Sequence, residues 1–107
     1  MTGPDPRAPG LTFVFLARVP PEGVAAFAAY EEEVLPLLAD HGARLDARLR
    51  AAGGQVELHV LWFPGEEALA AYRADPRRAA HADLLADSRA VTELFPLPVE
   101  PVERRLT

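Results

Sequence analysis

The 107-residue sequence contains no cysteine, and it also lacks lysine, isoleucine and asparagine. Without cysteine, the chain has no disulfide, no thiolate nucleophile and no cysteine-ligated metal site. No apolar run approaches the roughly 20 residues that cross a bilayer, and the proline-containing N-terminus lacks the apolar stretch of a signal peptide. We therefore expect a cytoplasmic protein with no membrane partner.

Positive charge is scarce, because 11 arginines face 16 acidic residues and give a formal net charge of −5. Nucleic-acid binding that is independent of base sequence needs a basic surface, so we expect no nucleic-acid partner. A composition of 50% hydrophobic and 25% charged residues is typical of one globular domain. We expect a flexible leader at residues 1–10, a domain at 11–102 and a tail at 103–107.

The spacing of apolar residues predicts the element order β-α-β-β-α-β. The expected strands are residues 11–19, 43–50, 55–63 and 89–96, and the expected helical segments are 22–41 and 66–86. Pro36 should kink or divide the first helix, and Asp75-Pro76 should start a second piece of the other. With right-handed crossovers, this order gives an α+β, ferredoxin-like domain: a four-stranded antiparallel sheet with both helices on one face.

Such a sheet keeps one face uncovered in a monomer. That face is expected to carry Val14, Leu16, Leu61 and Phe63, or their neighbours of opposite parity. An exposed apolar patch of this size is unusual for a monomer. We therefore predict a homodimer in which two sheets pack face to face and enclose a barrel.

Two stretches resemble a known superfamily: YEEEVLPLLADHG, from Tyr30 to Gly42, and WFPGEEALAAYRADPRRAAHADLLADS, from Trp62 to Ser88. They are similar to small dimeric α+β-barrel proteins, and particularly to a domain family of unknown function among them. The resemblance covers residues 11–102 and implies a ferredoxin-like homodimer. The superfamily includes cofactor-free quinone-forming monooxygenases, haem-degrading monooxygenases, lactone isomerases and amino-acid-binding domains. The haem-degrading pattern uses an asparagine near the haem, and this chain has none.

Strict alternation in residues 43–50 and 55–63 predicts a β-hairpin with a turn at 51–54. If Ala51 opposes Gly54, then Arg48 opposes Glu57, and Asp46 opposes His59. A carboxylate beside an imidazole selects one tautomer and raises the basicity of the other ring nitrogen. In the predicted dimer this polar face lines the space between the two sheets.

Two roles for the polar face stay open. It either closes a salt-bridged dimer interface or forms a site in which His59 is a general acid or base and Asp46 orients it. Arg44 or Arg48 would then stabilise an anion. The candidate ligand-binding residues are Arg44, Arg48, Glu57, Trp62, Tyr30 and Tyr72. The three aromatic residues of this set would either hold a flat substrate or belong to the core.

The histidines are too dispersed to predict a metal site, because His41, His59 and His81 lie on three different elements. We expect no metal and no bound cofactor. His41 is expected to stabilise a helix C-terminus, His81 to be solvated, and residues 31–33 to form a solvated acidic run.

Taken together, these features predict a homodimeric α+β-barrel protein that binds or transforms a small cyclic or aromatic organic molecule without a bound cofactor. The reaction would be of the monooxygenase, isomerase or cyclase type. The alternative is a non-catalytic module that binds a ligand or only forms a dimer.

Overall fold

A computed structural model describes residues 10–97 of the chain, so most of the expected leader and all of the expected tail lie outside the described residues. Four strands form one antiparallel sheet in the order β2-β3-β1-β4. The strands are β1 (Leu11–Arg18), β2 (Arg44–Ala51), β3 (Val56–Phe63) and β4 (Val91–Pro96). Their order confirms the predicted ferredoxin-like α+β fold.

The helical segments are divided where the sequence predicted. Helix α1 (Val24–Val34) gives way to a 3-10 segment, Leu35–His41, whose second residue is Pro36. Proline has no N–H to donate and its ring clashes with the preceding turn, so the α-helix ends there. Gly42 then adopts φ 70°, the left-handed conformation that ends a helix at little steric cost.

The second helical segment consists of three pieces: α2 (Glu66–Arg73), α3 (Pro76–Ala79) and α4 (Ala82–Ser88). The carboxylate of Asp75 caps α3, accepting a hydrogen bond from the backbone N–H of Arg77 at 2.9 Å. Asp75 also lies 2.8 Å from Nε2 of His41. His41 therefore joins the end of the first helical segment to the start of α3. None of the helices in residues 10–97 is long and apolar enough to cross a membrane.

The core lies between the sheet and the helices in two adjoining clusters. The first is built on Ala17, Val19, Phe27, Tyr30 and Val34. The second is built on Leu38, Ala43, Leu61, Phe63 and Tyr72. Burial of these side chains in one layer fixes which face of each strand the helices cover.

The hairpin has a different register from the predicted one. Ala51 pairs with Val56, since the connection is a 3-10 turn at Ala52–Gly54 followed by Gln55, not a two-residue turn. The two extra loop residues shift the pairs between the turn and Ala47 by two positions, so Arg48 opposes His59 and Arg50 opposes Glu57. The predicted pairing of Asp46 with His59 is wrong.

A β-bulge at Asp46 adds a second difference. The register shifts between Leu45 and Ala47, so these two residues lie on opposite faces of the sheet although their spacing predicts the same face. Beyond the bulge, Arg48 and Arg50 share a face with the core residue Leu61. A sequence pattern of period two cannot reveal the extra residue.

The polar face also points the opposite way from the prediction. Glu57 and His59 are buried among residues that face the helices, not the uncovered side of the sheet. The uncovered face is instead largely apolar. On it lie Val14, Leu16, Ala47, Leu49, Leu58, Val60, Trp62, Val91 and Phe95. Of these, Leu49 is 62% exposed and Val91 65% exposed, so part of this apolar face is open to solvent.

Candidate functional site

A cavity of about 170 Å³ lies between the sheet and the helices, and we call it the inter-layer cavity. Its walls come from β1, β3 and β4 on one side and from α1 to α4 on the other. Most of the lining side chains are apolar or aromatic: Phe15, Val34, Leu35, Leu61, Phe63, Leu69, Leu85 and Leu94. The polar lining groups are few: Tyr30, Glu31, His59, Tyr72, Arg73, Arg78 and Thr92. An apolar cavity with a few polar groups is typical of a small-molecule site.

One wall of the cavity borders a polar cluster that we call the acid cluster: the buried residues Glu31, Glu57 and His59, and Arg48, whose side chain is 36% exposed. The Nε2 of His59 lies 2.8 Å from Oε1 of Glu57 and 3.2 Å from Oε2 of Glu31. Arg48 donates from Nε to Glu57 and from Nη2 to Glu31, both at 2.9 Å. Arg50 donates to the second oxygen of Glu57 at 3.2 Å. The two carboxyl groups thus share one guanidinium and one imidazole.

The two carboxyl groups of the acid cluster differ in acidity. Burial raises the pKa of Glu31 to about 8. The hydrogen bond between Glu31 and Glu57 and the negative charge of Glu57 also raise it. Burial also acts to raise the pKa of Glu57, but hydrogen bonds from Glu31, His59 and Arg48 outweigh it and lower the pKa to about 2. At neutral pH the pair therefore holds one proton, which resides on Glu31.

His59 is uncharged at neutral pH in this environment. Burial lowers its pKa, because an imidazolium ion would lose its hydration, and the attraction of Glu57 offsets only part of that effect. Since Glu57 is ionised and can only accept, the Nε2 of His59 carries the ring proton. The lone pair of Nδ1 is then the basic site of the ring. Phe15 stacks on the imidazole with a centroid distance of 5.0 Å and restricts its orientation.

Two tyrosines and an arginine form another part of the cavity wall. The Nη2 of Arg78 donates to the hydroxyl of Tyr30 at 3.1 Å, and its guanidinium carbon lies 4.6 Å from the ring centroid of Tyr72. The Tyr72 hydroxyl donates to the carbonyl oxygen of Val34 at 3.3 Å. Burial raises the pKa of Tyr72, so its phenol is neutral.

The structure brings together five of the eight residues expected to form a site. His59, Tyr30 and Tyr72 line the cavity, and Arg48 and Glu57 hydrogen-bond in the acid cluster. Arg48 and Glu57 form the predicted ion pair, but diagonally and not as directly opposed residues.

The other three residues lie away from the cavity. The side chain of Asp46 is exposed on the bulge and accepts from Arg44 at 2.6 Å. The guanidinium of Arg44 in turn covers the ring of Trp62, 4.3 Å from its centroid, on the face of the sheet that the helices do not cover. A bulged residue is turned out of the ladder, so Asp46 cannot orient His59.

Glu31 and Arg78 also line the cavity, although neither was predicted as a site residue. Glu31 was expected to be solvated with its neighbours, yet it is 3% exposed. Its spacing from Phe27 and Val34, at four and three residues, is the helical signal that could have placed it on the buried side of α1. Arg78 carried no such signal, because it lies in the short helix α3, whose position depends on the Asp75 cap.

The donor atoms of Glu31, Glu57 and His59 lie within 4.8 Å of one another, a grouping whose chemistry suits a divalent metal ion. Arg48, however, already donates hydrogen bonds to both carboxyl groups. A metal ion there would meet the positive charge of this guanidinium at close range. The donor set therefore fits a proton-holding cluster better than a metal centre, and the absence of a metal stays a prediction.

Comparison with known proteins supports the fold and not a family membership. Neither a protein-family model nor a curated protein sequence matches this chain. Solved structures do match, and they share the ferredoxin-like α+β fold of this chain.

Three of these structures illustrate the range of the class. SnoaB from Streptomyces nogalater, a cofactor-independent oxygenase, has a TM-score of 0.67 and 18% identity over 92% of this chain and 100% of its own. Rv0793 from Mycobacterium tuberculosis has a TM-score of 0.67 and 11% identity over 89% and 100%. A NIPSNAP family protein of unknown function from Agrobacterium tumefaciens has a TM-score of 0.62 and 16% identity over 85% and 90%. At such identities the likeness shows the fold and leaves the activity open.

Proposed function

We propose that this protein binds a small cyclic or aromatic organic molecule in the inter-layer cavity and transforms it by proton transfer, without a bound cofactor. The observation that carries the proposal is the pair of His59 and ionised Glu57 at the wall of a mostly apolar cavity. A buried imidazole held by a carboxylate is an arrangement suited to general-base catalysis. Glu57 has the orienting role that the sequence had assigned to Asp46.

In this proposal His59 removes a proton from the ligand through Nδ1, while Glu57 keeps Nε2 protonated and stabilises the imidazolium that forms. Glu31, which is protonated at neutral pH and lines the cavity, is the group able to return a proton. Removal of a proton from carbon or oxygen is the first step common to isomerases, cyclases and cofactor-free oxygenases. An oxygenase would additionally need molecular oxygen as the oxidant.

The size of the cavity limits the ligand. A cavity of about 150 Å³ accommodates benzene, and the inter-layer cavity measures about 170 Å³. A single six-membered ring with a short substituent therefore fits inside the cavity, and a fused system of three or four rings would extend beyond it. SnoaB, which has the same fold, shows that this fold can carry a cofactor-independent reaction.

We also propose that the protein is a homodimer formed by the uncovered face of the sheet. Its apolar surface includes the half-exposed Phe95, which is 41% exposed, beside Val14 on the neighbouring strand. This face carries Leu58, Val60 and Leu16 where the acid cluster was expected. The two sheets of the dimer would therefore contact each other mainly through apolar side chains. The catalytic cavity would then lie within each subunit and not between the two.

The proposal is tested with cyclohexanone, a single-ring ketone, in deuterated buffer. Binding is followed by NMR titration of the protein, and proton abstraction by loss of the proton signals beside the ketone carbonyl. We expect resonances of the cavity residues to shift, and exchange to run at least tenfold faster than in buffer alone. His59→Gln, which keeps a donor for Glu57, should abolish the excess exchange, and Asp46→Asn should not change it.

Three outcomes separate the alternatives. Exchange that depends on His59 supports the enzyme. Binding in the cavity without exchange overturns the catalytic part and supports a ligand-binding module, an alternative favoured by the hydrogen bonds that already join Glu31, Arg48, Glu57 and His59 to one another. No binding of any single-ring probe overturns the proposed site and leaves a structural dimer.

A further inference from the structure

Arg78 is the unusual charged group of the inter-layer cavity. Its Nε is buried and has no hydrogen-bond partner, the only such side-chain nitrogen or oxygen found in residues 10–97. Within the same residues no carboxylate forms an ion pair with it, whereas Arg44, Arg48, Arg50 and Arg77 each have one. Its contacts are the hydroxyl of Tyr30 at 3.1 Å and a backbone carbonyl oxygen at 3.4 Å.

An unpartnered buried N–H is costly, and a native structure usually keeps one only where something else satisfies it. The unused donor belongs to Arg78, which is one of the residues that line the cavity. Nε and the adjacent Nη2 form one edge of the guanidinium. This edge can donate to the two oxygens of a carboxylate side by side. A ligand oxygen is therefore the natural partner of this edge.

The charge balance of the cavity points to the same ligand. Glu31 is protonated and His59 is neutral at pH 7, and Tyr72 keeps its phenol proton. Glu57 is ionised, but its oxygens are occupied by His59, Arg48 and Arg50. The charged groups that line the cavity are thus Arg78 and the exposed Arg73, and both are positive. None of the lining residues in the described part of the chain carries a negative charge that would neutralise them.

We propose that the inter-layer cavity selects a monocyclic ligand with an anionic oxygen, either a carboxylate or an enolate, and that Arg78 is the residue that binds this oxygen. The inference rests on the proposed function, since both require a ligand in the cavity. The ring of the ligand would contact Tyr72 and the apolar wall, and its charged oxygen would complete the hydrogen bonding of Nε. Tyr30, which already contacts Arg78, holds the guanidinium in position.

The experiment compares matched anionic and neutral probes by NMR titration at pH 7.5. Benzoate is compared with benzamide to test the carboxylate, and the enolate of cyclohexane-1,3-dione with cyclohexanone to test the enolate. At least one anion should bind about tenfold or more tightly than its neutral counterpart, as expected for a hydrogen bond to a charged group. The preferred pair identifies the kind of oxygen.

Arg78→Gln and Arg73→Gln change the net charge equally, so comparing them identifies the arginine that binds the anion. Arg78→Gln should remove the preference for the anion, and Arg78→Lys should restore part of it. Arg73→Gln is the control. Arg73 also lines the cavity, but it is exposed, and the buried nitrogen without a partner belongs to Arg78. Circular dichroism and thermal melting establish that each variant is folded.

Each result has a defined meaning. Equal binding of anionic and neutral probes overturns the role of Arg78 while the proposed function stands. Loss of the preference in Arg73→Gln but not in Arg78→Gln also overturns it. If Arg78→Gln does not fold, the wild-type comparison of benzoate with benzamide still decides the anion preference. Failure of every probe to bind overturns the proposed function itself.

Discussion

The Nε2 of His59 lies 2.8 Å from Oε1 of Glu57, two residues earlier on the same strand and on the same face of the sheet. This contact within one strand replaces the contact between strands expected from the hairpin. It arises because residues i and i+2 of a strand share a face, so it does not depend on the register of β2. The pair also places the imidazole where Glu31 and Phe15 confine it.

Glu31→Gln should make the protein more stable at high pH. The unfolded carboxyl group ionises near pH 4.5, whereas in the folded state its pKa is about 8. Between these values the folded protein holds a proton that the unfolded chain releases, so wild-type stability falls as the pH rises. Glutamine does not titrate, and its amide can still donate to Glu57 and accept from Arg48. The stability of the variant relative to wild type should increase from pH 4.5 to pH 8, by at most about 1.4 kcal/mol per pH unit.

Urea unfolding at pH 5, 6, 7 and 8 checks this prediction. The control is Glu32→Gln, which makes the same carboxyl-to-amide change on the exposed side of α1. A Glu31→Gln profile that is parallel to wild type would mean that Glu31 is ionised in the folded protein.

Glu57→Gln should have the opposite pH dependence. The pKa of Glu57 is lowered from 4.5 to about 2, so its ionised form stabilises the folded state above pH 4.5, and this stabilisation is lost as the pH falls toward 2. The variant leaves Arg48, Arg50 and His59 without their carboxylate, and we expect a loss of about 2–4 kcal/mol at pH 7. The loss should shrink below pH 4, as measured by urea unfolding. A deficit that stays constant from pH 7 to pH 3 would contradict the assignment.

Gly23→Ala should destabilise the contact between α1 and α4. A Cβ at this position would overlap the backbone carbonyl oxygen of Ser88, which cannot rotate away as a side chain could. Overpacking of this kind costs about 1–3 kcal/mol and should lower the melting temperature by at least about 4 °C. Gly65→Ala is the control, since nothing lies within 4 Å of its Cβ and its backbone is extended, with φ 177°. Equal melting temperatures for the two variants would refute the close approach.

Leu58→Glu should separate the proposed dimer. Leu58 lies in the middle of the uncovered face, where it pairs with Leu16 on one side and Leu49 on the other. A carboxylate there would be buried without a partner in a face-to-face dimer, at a cost of several kcal/mol. Sedimentation at micromolar concentration should show a dimer for wild type and a monomer for the variant. Ala70→Glu adds the same charge at an exposed position of α2 and should remain dimeric. A wild-type protein that sediments as a monomer refutes the dimer.

Much of the fold follows from local patterns in the sequence. The order of the elements depends on the period of the apolar residues, and the observed strand ends lie within two residues of the expected ones. The end of α1 before Pro36 and the start of α3 after Asp75 have equally local causes, a missing N–H and a side-chain cap. His59, Glu57, Tyr30 and Tyr72 could be identified because their residue types are suited to acid–base chemistry or ligand contact.

The arrangement of the site was decided by contacts between distant parts of the chain. A four-residue connection and one bulged residue at Asp46 set which side chains of β2 meet β3, and neither changes the alternating pattern that the sequence displays. Both faces of the sheet carry enough apolar residues to be covered, so only the packing of α1 determines that Glu57 and His59 face inward. Glu31 and Arg78 join the cavity for the same reason, because the helices carry them to the sheet. The resulting burial, not their position in the sequence, gives Glu31 its proton and leaves the Nε of Arg78 without a partner in residues 10–97.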